Sequence, residues 1–346
     1  MRPQAQPLPL LPTMGVGSYA SPGWFTLGRS RIREGELGPA DIDEMFEDAT
    51  RIAIADQIEA GIDIVSDGEL RRQRFVYEMF DRLSGLKRVP SRRKLGVPFY
   101  DMAPGFSVEG EVTAPNGLGV AIEFEALKRL APGHALKVAL PGPLTFAGSI
   151  MPARGQERAT LDRLSDILRD ELARLVAAGA DCIQLDEPGF AEPPYGLSSA
   201  EAALVINRTI EGLDARMAVH VCFGNNAGRP KRPRAMRPLM DGMATLACQQ
   251  LVLEFANREM ADLELLSELS MRFDIAAGVV DVKSFHVETP AEVAARIERC
   301  LDHVKPDRLT VTADCGFSAL PRFLARAKMQ AMVEGARLVR ARLDAS

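Results

Sequence analysis

One tryptophan, four histidines and five cysteines in 346 residues leave this chain poor in the side chains that build stacking platforms, metal sites and disulfide frameworks. The cysteines are odd in number and scattered (Cys182, Cys222, Cys248, Cys300, Cys315), without framework spacing, which excludes a disulfide scaffold and points to reduced thiols. Dense basic runs are missing beyond Arg71-Arg72 and Arg92-Arg93-Lys94, and the formal net charge is -5, so the chain carries no nucleic-acid footprint. No apolar stretch approaches the length of a transmembrane helix, and Leu8-Pro9-Leu10-Leu11-Pro12 is too short and too proline-interrupted for a signal-peptide core. A cytoplasmic protein without membrane partners is therefore expected. Low-complexity linkers and strong short repeats are also missing.

What is present is the composition of a globular enzyme with ample core, 47% hydrophobic and 26% charged. Short runs rich in Val, Ile and Leu recur, each followed by turn residues and a longer amphipathic stretch, which is the βα repeat of a parallel sheet. The candidate strands are Thr13 to Ser18, Ile62 to Ser66, Ala135 to Leu140, Cys182 to Leu185, Ala218 to Cys222, Leu251 to Phe255, Ile275 to Val282 and Leu309 to Ala313. That is about the number a closed (β/α)8 TIM barrel needs, and the expectation is one such domain over residues 1–346.

Acidic residues after Asp41 open a helix that Gly61 closes, and Thr289-Pro290-Ala291-Glu292 reads as a capping box. Between about Leu86 and Gly133 the rhythm breaks. A basic cluster, several prolines and the alternating Phe106 to Val112 segment predict a hairpin-containing insertion between the second and third barrel strands.

The polar residues gather at the C-terminal ends of the predicted strands, the face where barrel enzymes carry their chemistry. His220 and Cys222 alternate with Val219 and Val221, so both project to one face of their strand. An H-x-C pair alone fits ordinary burial as well as metal ligation. Glu254 lies inside the apolar run Leu251 to Phe255, where an unpaired carboxylate is costly to bury, and Cys315 adds a second thiol at the end of the last strand. Two sulfurs, one imidazole and one carboxylate suit a four-coordinate Zn²⁺. Cys182, Cys248 and Cys300 read as packed or surface thiols.

Several ordered motifs resemble the C-terminal catalytic barrel of the cobalamin-independent methionine synthases. They are Leu11 to Ser18, Asp67-Gly68-Glu69, Pro141-Gly142-Pro143-Leu144-Thr145, Ile183 to Pro188, His220-Val221-Cys222, Gly278 to Val282 and Asp314-Cys315-Gly316. The resemblance runs along nearly the whole chain and implies that His220, Cys222, Glu254 and Cys315 bind the catalytic zinc. It further implies that Val16, Gly17 and Ser18 bind the carboxylate of homocysteine, and that Glu69 and Asp186 bind its ammonium, with Glu192 at a matching distance. The plain alternative for Glu69 and Asp186 is capping or salt bridging.

The chain departs from the family pattern on the methyl-donor side. The family's second, N-terminal barrel has no room here, Ser149 stands about where a pterin-stacking Trp is expected, and Lys283 takes the place of a histidine proton donor. Lys283 is thus the candidate catalytic acid or anion-binding charge. Such short members are associated with a methylated corrinoid protein as donor, so the expected reaction is zinc-dependent methylation of homocysteine from a corrinoid protein or a methyltetrahydrofolate. Two other readings stand beside it. One is alkyl transfer to another thiol, as in epoxyalkane:coenzyme M transferases, with Lys283 or arginines near Arg71 to Arg74 on a sulfonate. The other is a metal-bearing methyl-transfer partner module without turnover of its own.

Overall fold

The computed structural model describes residues 7–72, 77–90, 105–225 and 233–345. Its strands in chain order are β1 (Ile64–Val65), β2 (Ser84–Val89), β3 (Gly105–Thr113), β4 (Ala135–Leu136), β5 (Val138–Pro141), β6 (Ile150–Met151), β7 (Cys182–Asp186), β8 (Arg216–Val221), β9 (Gln250–Glu254), β10 (Asp274–Val280) and β11 (Leu309–Ala313). The chain divides into two compact units. Met1–Gln73, Glu123–Ala139 and Val252–Ser346 make the first, and Arg74–Ile122 with Leu140–Leu251 the second.

In the first unit β1 pairs in parallel with β4, and β10 in parallel with β11. Parallel bridges of Met14 to Ile64 and of Thr13 to Val311 link these pairs, and β9 lies on the other side of β10. Every residue of β9 and β11 is buried, the pattern of parallel strands covered on both faces. The helix Pro39–Ala60 buries Phe46, Ala49, Ala53 and Ile54. Asp41 accepts from the Gly38 amide at 3.2 Å at its start, and Gly61 ends it at φ 85°, a left-handed conformation that glycine adopts without steric cost. The capping box at Thr289 is also formed. Its hydroxyl accepts from the Glu292 amide at 3.2 Å, and Glu292 accepts from the Thr289 amide at 2.7 Å.

In the second unit β7 and β8 are parallel, with Asp186 opposite His220, and β5 borders β7. A separate sheet pairs β3 antiparallel with β2 and parallel with β6, the last of these lying outside the interval 86–133. The alternating Phe106 to Val112 segment lies within β3, as expected, and the hairpin begins slightly earlier than read, at Ser84. The basic cluster Arg92-Arg93-Lys94 lies outside the described residues.

Two expectations about strands need correction. Thr13 to Ser18 is not a continuous strand, and Ala135 to Leu140 is broken at Lys137. In the first, the fully buried ammonium of Lys137 donates to the carbonyls of Gly15 at 2.6 Å and Val16 at 2.8 Å, so these carbonyls satisfy their bonding outside a strand ladder. In the second, the Lys137 amide still donates to the Val65 carbonyl at 2.9 Å. The interval 86–133 also contains a helix, Val120–Leu130, where no regular element was read. Its start is capped from elsewhere, since Glu171 accepts from the amides of Leu118 at 2.8 Å and Ala121 at 3.0 Å. Among the described residues, no helix is long and apolar enough to cross a membrane.

Candidate active site

The second unit carries the imidazole and one thiol. His220 and Cys222, at the end of β8, are both buried. The Nδ1 of His220 lies 3.0 Å from Oδ1 of Asp186 on the neighbouring strand, and Gln184 donates to that same oxygen at 2.6 Å. A carboxylate on Nδ1 fixes the proton there and directs the Nε2 lone pair away, the arrangement that prepares histidine for a metal. Asp186, expected to bind a substrate ammonium, is joined by the structure to a candidate ligand. Glu192 follows directly on the short helix Pro188–Ala191 and is exposed.

Glu187 is a residue the sequence reading did not single out. It accepts from the amides of Leu144 at 3.0 Å and Thr145 at 2.9 Å and from the Thr145 hydroxyl at 2.7 Å. It thereby ties the Pro141 to Thr145 motif to the end of β7. Burial pushes its carboxyl up to about 8; the bonds from Thr145 and Leu144 oppose that shift, and the neighbouring Asp186 charge adds to it.

The first unit carries the carboxylate, the second thiol and the substrate-loop residues. Glu254 ends β9 with no exposed surface, and the ammonium of Lys283 donates to its Oε2 at 2.6 Å. The Lys283 amide donates to Asp281 at 2.7 Å, which fixes the base of that side chain. Cys315, half-buried, follows Asp314 at the end of β11. Asp314 is fully buried, and burial followed by the Glu254 charge pushes it up to about 7, while Lys283 and the bonds from Asn257 work in the opposite sense.

Val16, Gly17 and Ser18 lie beside Glu69 and the Cys315 loop. A Cβ at Gly17 would fall 2.3 Å from Oε1 of Glu69, so only glycine permits this approach. The Ser18 carbonyl accepts from the Phe317 amide at 2.7 Å, and its hydroxyl lies 3.1 Å from that of Ser318. Glu69 itself sits at φ 59°, a sparsely populated conformation for a residue with a side chain. Buried Arg72 holds it, 3.0 Å from Oε2 of Glu69, and also bonds to Glu123 at 2.9 Å and the Ala139 carbonyl at 2.8 Å. Burial opposes the Arg72 charge, but Glu123, Glu69 and Asp67 outweigh it and raise its pKa. Arg72 and Lys137 were missed as positioning residues. The signal for Lys137 was a lysine inside the apolar run Ala135 to Leu140.

Fold and donors together define an α/β protein built on parallel strands, with a candidate metal group of His220, Cys222 and Cys315. These are three of the four donors read from the sequence, and the fourth, Glu254, is held by Lys283. The sequence model of the cobalamin-independent synthase catalytic domain matches residues 11–338, and the chain belongs to that family. It is 33% identical over 338 residues to a methionine synthase of Thermococcus kodakarensis, covering 97% of this chain and 95% of the relative. With a methionine synthase of Sulfurisphaera tokodaii it shares 31% identity over 337 residues, 97% of this chain and 94% of the relative. A solved B12-independent methionine synthase from a Shewanella species, in complex with selenomethionine, superposes with a TM-score of 0.82 at 28% identity, covering 98% of this chain and all of that one. The chain is accordingly a methyltransferase of the methionine synthase family. The family is cobalamin-independent by description, so it lends no support to the corrinoid-protein partner expected from the shortened architecture.

Proposed function

We propose that this is a cytoplasmic, zinc-dependent enzyme that methylates the thiolate of homocysteine to form methionine, with residues 1–346 acting as one catalytic domain. The observation that carries the proposal is the donor group His220, Cys222 and Cys315, two thiols and an imidazole whose Nδ1 is already engaged by Asp186. Such a set matches Zn²⁺ in softness, and Glu254 completes it as fourth donor. Zinc, when bound, keeps a substrate thiol as thiolate at neutral pH.

The other roles belong to the chain's own residues. Val16, Gly17 and Ser18 receive the amino-acid carboxylate. Glu69, oriented by Arg72, receives the ammonium, with Glu192 assisting and Asp186 orienting His220. Lys283 supplies the positive charge that balances Glu254 and is the candidate acid on the donor side. The selenomethionine named with the Shewanella structure is an analogue of the proposed product, which supports an amino-acid occupant. The coenzyme M alternative gains nothing, because Lys283 pairs with Glu254 at 2.6 Å, Arg71 with Asp43 at 2.6 Å and Arg72 with Glu69 and Glu123; Arg74 lies outside the described residues.

Turnover of the purified chain with homocysteine, offering methylcobalamin and methyltetrahydrofolate separately, tests the reading and identifies the donor. Methionine from either donor supports it. No methionine from both, with product from another thiol or only in the presence of a partner protein, contradicts it.

A further inference from the structure

In the first unit β10 lies between β9 and β11, yet Asp314, just past the end of β11, makes its side-chain bonds at the end of β9. Its Oδ1 accepts from the amides of Phe255 at 2.8 Å and Ala256 at 2.9 Å. Its Oδ2 accepts from the Asn257 amide at 2.6 Å and from Asn257 Nδ2 at 2.8 Å. These amides open the 3-10 turn Ala256–Arg258, whose N-cap Phe255 directly follows Glu254. A carboxylate that takes four donors at the start of a turn fixes both its position and its direction.

The crossing needs a gap in β10, and Gly278 supplies it. A Cβ there would lie 2.6 Å from Asp314 Oδ1 and 2.8 Å from its Cα. The register between β10 and β11 shifts between Gly278 and Val280, and the Asp314 amide donates to the Val280 carbonyl at 3.0 Å. Glycine, bulge and carboxylate thus form one device, in keeping with the use of bulges to re-aim side chains near active sites. Beyond the clamped turn, Glu259, Met260 and Asp262 take φ values of 53°, 61° and 65°. Such conformations persist in residues with side chains only where the surroundings impose them.

Asp314 is covalently next to Cys315, and Phe255, whose amide it holds, is covalently next to Glu254. We propose that Asp314 is a positioning residue which, through the gap at Gly278, holds Glu254 and Cys315 in the fixed relation that zinc binding needs. The inference rests on the zinc reading above.

The test uses the purified full chain as wild type, Asp314→Asn, Gly278→Ala and Asn257→Ala. Zinc affinity is measured by competition with a chromophoric chelator, and ligand geometry by the absorption bands of the cobalt-substituted protein. Asp314→Asn and Gly278→Ala are expected to weaken zinc by about 10–100-fold, the range for residues that orient metal ligands, and to shift the cobalt bands. Asn257→Ala, which removes one of the four donors, is expected to shift both in the same direction by less. Wild-type affinity and cobalt bands in a folded Asp314→Asn chain overturn the proposal. Should Asp314→Asn and Gly278→Ala fail to fold, unchanged cobalt bands in Asn257→Ala overturn it as well. A wild-type chain that binds no zinc overturns the zinc reading itself, so the two failures are told apart.

Discussion

Lys283 and Glu254 form a buried ion pair, with 2.6 Å between Nζ and Oε2 and side-chain exposures of 3% and 0%. The candidate donor-side acid is therefore also the counter-charge of a proposed zinc ligand. Removing one member of such a pair leaves the other charge buried and uncompensated.

Lys283→Met is expected to cost the zinc-free protein about 3–5 kcal/mol in urea unfolding, the usual result of breaking a buried pair. In the zinc-loaded protein the loss is smaller, because the metal compensates the carboxylate. Lys283→Arg restores part of the stability. Equal losses with and without zinc speak against Glu254 as a ligand.

The His220 and Asp186 pair gives a second expectation. Asp186→Asn keeps the shape but weakens the partner of Nδ1, and zinc affinity should fall by about 10–100-fold in a chelator competition. Unchanged zinc affinity with weaker homocysteine binding assigns Asp186 to the substrate ammonium alone.

Glu187 sets a dependence on pH whose sign follows from its raised pKa. Below its ordinary value of 4.5 the carboxyl is protonated in both folded and unfolded chains; between 4.5 and about 8 only the unfolded chain gives up the proton. Stability contributed by this group is thus full below 4.5 and is lost as pH rises to about 8. In Glu187→Gln this loss disappears, so the variant gains on the wild type between pH 5 and pH 8 in denaturant unfolding. A constant difference across that range contradicts the assignment.

Much of this architecture is legible in the sequence because its signals are local. Apolar runs mark β7 to β11, Thr289 and Glu292 announce a capping box that forms, and Gly61 ends its helix. His220 and Cys222 stand out through their alternation on one strand. What stays hidden depends on partners distant in the chain. The carbonyls of Gly15 and Val16 are taken by the ammonium of Lys137, more than a hundred residues away. The helix at Val120 is capped by Glu171. No spacing rule tells that Asp186 will meet His220, or that Gly278 leaves room for Asp314. A charged residue inside an apolar run signals a buried partner without naming it.

The account turns on metal held by thiols from the ends of β8 and β11, and Cys315→Ser tests it most directly. Metal analysis of purified protein should find one zinc per chain in the wild type and almost none in Cys315→Ser, with the circular dichroism of the two unchanged. Stoichiometric zinc retained by Cys315→Ser would contradict the assignment.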